Sequence, residues 1–121
     1  MIVCETAPTF EGQKLALDLA KLGIQTNLVQ DAAAFGLLSR VDKVIVSAHG
    51  IMATGGIIGQ TGILNIAHAA KAQQVPFFVL GASYKLTPLH PIDSHTYNEL
   101  LSPETIFELE GDDIEENIEV I

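Results

Sequence analysis

Val41-Asp42-Lys43-Val44-Ile45-Val46-Ser47-Ala48-His49-Gly50 and, about thirty residues later, Val75-Pro76-Phe77-Phe78-Val79-Leu80 frame the stretch that decides the fold. Lys43–Val46 and Phe77–Leu80 are short, continuous apolar runs bounded by polar or breaking residues, the pattern of parallel strands covered on both faces. The intervening length suits a right-handed crossover through a helix. The spacing predicts that helix from Thr61 or Gly62 to about Gln73, with Ile63, Ile66, Ala67 and Ala70 inward and Asn65, His68 and Lys71 outward. His49 to Gln60 then falls at the carboxyl end of the first strand, where open α/β sheets place their ligands.

Outward from this unit, Met1–Cys4 reads as a strand. Leu15, Leu19 and Leu22 recur at helical spacing after Pro8-Thr9, with Thr9 a candidate cap and Gly23 a stop. Ile24–Val29 is a further strand, and Asp31 is placed to cap a short helix over Ala32–Leu38. Beyond Leu80 the pattern loosens. Pro88 and Pro91 punctuate a loop that runs through His95, Ser102-Pro103-Glu104 opens a turn, and Ile118–Ile121 is a final short strand. The order strand, helix, strand, helix, strand, helix, strand predicts one Rossmann-like α/β domain over residues 1–121, an open parallel sheet with helices on both faces. The abrupt apolar start makes the domain read as one cut at this end.

Composition bounds function by exclusion. At 121 residues, 48% apolar and with positive mean hydropathy, the chain has the material for one core. Of the net charge of −9, nearly all comes from eight acids within Glu104–Glu119, so the rest is close to neutral and carries no basic patch for nucleic acid. No run is long enough for a membrane span and no targeting segment is visible. A single cysteine fits a reducing compartment, and a cytoplasmic location is expected. His49, His68, His90 and His95 share no ligand spacing with a carboxylate or with Cys4, so neither a metal nor a cofactor is expected. Cys4 has no basic neighbour in sequence to lower its pKa, so a small core cysteine is the better reading, and Glu5 reads as a loop or helix-capping acid.

The glycine-rich loop is the one candidate site: His49, Thr54, Gly55, Gly56, Gly59 and Gln60. Backbone amides and a helix amino terminus attract anions. Yet the spacing matches neither a P-loop nor a dinucleotide fingerprint, and glycines serving a turn and close packing weigh more heavily than an anion site.

Val41–Ile51, Gly55-Gly56, Gly62, Ala70-Lys71, Val75–Val79 and Ser83-Tyr84-Lys85, taken in order, resemble the carboxyl-terminal domain of the regulatory subunits (alpha, beta and delta) of eukaryotic translation initiation factor 2B. Cys4–Pro8 with Glu11-Gly12, and Asp31-Ala32-Ala33 with Ser39-Arg40, most resemble the beta type. The resemblance implies a non-catalytic regulatory and assembly subunit of the factor that exchanges guanine nucleotide on initiation factor 2. It implies oligomeric partners, among them a delta-like subunit, and contact with the alpha subunit of initiation factor 2. The same superfamily holds isomerases of methylthioribose 1-phosphate and ribose 1,5-bisphosphate. Where those enzymes carry a catalytic aspartate this chain has His49, where they carry Asn-Gly-Asp and Asn-Lys it has Thr54-Gly55-Gly56 and Gly59-Gln60, and their phosphate-binding arginine is Ala7. Isomerase activity is the enzymatic alternative, and small-ligand binding the other.

Overall fold

The computed structural model describes residues 1–92, 96–98, 102 and 106 of the chain. His95, the turn expected at Ser102–Glu104, the acidic run and the strand expected at Ile118–Ile121 involve positions outside those residues. The chain divides into two units, Met1–His90 and Pro91–Ile121, and every described helix and strand lies in the first. Their order is β1 (Ile2–Cys4), α1 (Glu11–Lys21), β2 (Asn27–Val29), α2 (Ala34–Leu37), β3 (Val44–Ser47), β4 (Gly50–Met52), β5 (Ile57–Ile58), α3 (Ile63–Ala72), β6 (Phe77–Leu80) and β7 (Leu86–Thr87). This is the expected α/β alternation, with the two framing runs paired in parallel from Val44↔Phe77 to Ser47↔Leu80.

The strands are grouped more finely than the sequence implies. β1 and β2 form one parallel pair, β3 and β6 another, and β5-β4-β7 a small mixed sheet. That third sheet occupies the stretch expected to be loop. Gly50↔Ile58 and Ile51↔Ile57 pair antiparallel, and β7 joins β4 in parallel through Ile51↔Leu86 and Met52↔Thr87. Ile51, Met52, Ile57 and Ile58 are β-formers on both sides of a glycine turn, a hairpin signal hidden beneath the glycine count.

The core lies on one face of the β3–β6 pair, where Leu38, Val44, Ala69 and Ala70 are buried and Val46, Ile66, Val75 and Phe77 pack against them. Alanines at the α3 contact let the helix approach the strands closely, and Ala69 joins the expected Ala70 as its most buried residue. α1 meets its sheet through Gly12, Ala16 and Leu19, spaced at i, i+4 and i+7. Leu15 and Leu22, expected on the packing stripe, are exposed.

Two expected caps are corrected. Thr9 does not cap α1: its hydroxyl donates to the Thr6 carbonyl at 3.2 Å, the Phe10 amide donates to the same oxygen at 2.7 Å, and the helix begins at Glu11. Asp31 does not cap the next helix either. Its carboxylate accepts from the amides of Thr6 at 3.1 Å and Ala7 at 2.9 Å, because parallel pairing of Cys4 with Val29 sets the ends of β1 and β2 side by side. The stretch after it is a 3₁₀ turn at Asp31–Ala33, the single turn of α2, and a second 3₁₀ turn at Leu38–Arg40.

Both long helices close in the same way. After α1 the Gly23 amide donates to Ala20 and the Ile24 amide to Leu19, with Gly23 at φ 78°; this Schellman closure takes up Ile24 and shortens β2 from its expected start. After α3 the Gln74 amide donates to Lys71 and the Val75 amide to Ala70, but here a glutamine holds φ 57°. A non-glycine residue in that region costs roughly 1 to 2 kcal/mol. Gln74→Gly is therefore expected to stabilise the protein by about 1 kcal/mol, raising the thermal midpoint by roughly 4 to 8 °C. An unchanged or lower midpoint would show the closure to be unstrained.

Candidate functional site

Among the described residues β1 and β3 each carry a strand on one side only, and between their other edges lies a cavity of about 740 Å³. Its walls are the full lengths of both strands. Leu15 of α1 lines it, as do Leu37, Leu38, Ile63 and Ile66. At the carboxyl ends of the strands it is bordered by Cys4, Thr6, Glu11, Asp31, Ser47 and Gln60. Gln60 donates from its side-chain amide to the Glu11 carboxylate at 3.0 Å, joining the segment after β3 to the start of α1.

The electrostatics of this end are acidic. Glu11 and Asp31 border it, while the cationic lining residues, Arg40 and Lys43, precede β3 and belong to the opposite end. The nearby ammonium of Lys85 is held by the Ala48 carbonyl at 2.6 Å. Cys4 is half-buried, and burial first, then the negative charges of Asp31 and Glu5, push its thiol pKa up. The thiol form is favoured, the reverse of what a nucleophilic cysteine needs. Among the described residues no group of His, Cys, Asp and Glu has the arrangement to hold a metal ion.

The six residues of the glycine-rich segment do not converge. Gln60 alone lines the cavity. His49 is exposed, with its backbone amide donating to the Ile58 carbonyl at 2.8 Å to extend the β4–β5 hairpin. Thr54, Gly55 and Gly56 form the hairpin tip: the Gly55 amide donates to the Met52 carbonyl at 2.9 Å and the Met52 amide to the Gly56 carbonyl at 2.8 Å. Gly59 packs against Ile63, and Gly62 rather than a polar residue stands before α3, at φ 94°. The sequence does not single out Glu11 and Thr6 as site residues. Their signal is only positional, since both follow a strand that precedes a glycine-entered helix.

The two tip glycines differ. Gly55 sits at φ 84° with open space where a Cβ would project, whereas a Cβ on Gly56 would meet the flexible end of Met52, at 2.8 Å. Gly55→Ala is expected to cost about 1 to 2 kcal/mol and Gly56→Ala less than about 0.5 kcal/mol, measured by denaturant unfolding in phosphate-free buffer. Equal stabilities for the two variants would remove the backbone role assigned to Gly55.

A doubly wound α/β domain with an acidic, cation-poor strand end and a hairpin in place of a phosphate cradle is the class these features define. The chain belongs to the initiation factor 2 subunit family, whose profile matches residues 1–121. It is 44% identical over 118 residues, 98% of this chain, to the Dictyostelium discoideum translation initiation factor eIF2B subunit beta. Its fold superposes on the crystal structure of eIF-2B subunit delta from A. fulgidus with a TM-score of 0.79 at 25% identity, covering 89% of this chain and 32% of that one. The 5-methylthioribose 1-phosphate isomerase of Pyrococcus horikoshii shares the fold, with a TM-score of 0.75 at 24% identity over 87% of this chain and 30% of the isomerase. The chain spans about 30% of the length of the curated relatives it matches.

Proposed function

We propose that this chain serves as a non-catalytic assembly and regulatory part of a beta-type subunit of the exchange factor that acts on initiation factor 2. The observation that carries the reading is the acidic carboxyl end of the cavity. A sugar phosphate needs fixed positive charge and an available acid or base. Here Glu11 is bonded to Gln60, Asp31 is bonded to two backbone amides, and the Lys85 ammonium is bonded to a carbonyl. The partners in this reading are other subunits of the same factor, including a delta-like one, and the alpha subunit of initiation factor 2. A cytoplasmic location goes with that role.

Two measurements test it. The purified chain is expected to turn over neither 5-methylthioribose 1-phosphate nor ribose 1,5-bisphosphate, and to form a stable hetero-oligomer with a co-expressed delta-type subunit, read by native mass. Turnover that disappears with His49→Ala would replace this reading with the isomerase one. A chain that stays monomeric beside the delta-type subunit at micromolar concentration would remove the assembly role.

A further inference from the structure

We draw no further inference here: the strongest candidate, the apolar groove between α1 and β2 lined by Ala16, Leu17, Ala20 and Leu28, carries nothing because nothing in the structure shows what covers it.

Discussion

Replacing Gly12 with alanine is expected to cost about 3 to 5 kcal/mol and to leave the Met1–His90 unit largely unfolded at ambient temperature. Gly12 lies in the first turn of α1 and is buried against the end of β1. A Cβ built on it would overlap the carbonyl oxygen of Cys4 and come within 2.9 Å of the carbonyl carbons of Cys4 and Glu5. These are backbone atoms, so no side-chain rotation relieves the clash; the helix must lift off the strand or the strand must bend. Gly36 supplies the control. It is also a helical glycine, but an added Cβ there meets nothing within 4 Å and its φ is not positive. Gly36→Ala is expected to be neutral or stabilising by up to about 1 kcal/mol, because alanine loses less backbone entropy in a helix. Denaturant midpoints at constant slope separate the two substitutions, and a Gly12→Ala variant within about 1 kcal/mol of the parent would show that α1 does not depend on that approach.

How far each feature can be read from the sequence depends on how local its cause is. The β3–β6 pair is legible because Val44-Ile45-Val46 and Phe77-Phe78-Val79 are continuous apolar runs separated by a helical period, and nothing distant alters that pattern. Gly23 is legible as a helix stop for the same reason. The β4–β5 hairpin is not, because glycine spacing draws attention away from the isoleucines that flank it. Thr9 is lost to a local turn, its hydroxyl donating back three residues to the Thr6 carbonyl. The role of Asp31 is illegible on principle: a capping residue is inferred from the helix after it, but this one is claimed by the amides of Thr6 and Ala7, neighbours fixed only once β1 and β2 lie side by side. The cavity has no sequence signature at all, since it is defined by the separation of two strands that lie far apart along the chain. Of the candidate loop, Gln60 alone reaches that cavity, and its partner Glu11 is forty-nine positions away in sequence.

Asp31 shows how much stability such a non-local contact holds. Its two oxygens each accept one amide hydrogen, from Thr6 at 3.1 Å and from Ala7 at 2.9 Å, in the loop that carries the chain from β1 into α1. Thr6 is held at φ 60°, a conformation a threonine does not choose unaided, so the carboxylate offsets backbone strain as well as satisfying donors. Asp31→Ala removes both acceptors and is expected to cost about 2 to 3 kcal/mol, since hydrogen bonds to a charged group contribute about 1.5 to 3 kcal/mol and water reaches the Ala7 side. Asp31→Asn keeps the shape but offers one oxygen and turns an NH₂ toward the second amide, so it should recover less than half of that loss. Asp18 removes the ambiguity of charge. Its bond to Lys21 at 2.8 Å joins side chains that are 67% and 75% exposed, and Asp18→Ala should cost no more than about 0.5 kcal/mol despite the same change in net charge. Asp31→Ala is also expected to speed hydrogen exchange at Thr6 and Ala7, a change that a purely electrostatic effect on the whole domain would not confine to that loop. If Asp31→Ala and Asp18→Ala proved equally mild, the β1–α1 loop would be held by the Thr6 turn itself, and the carboxylate would be free to act at the strand end.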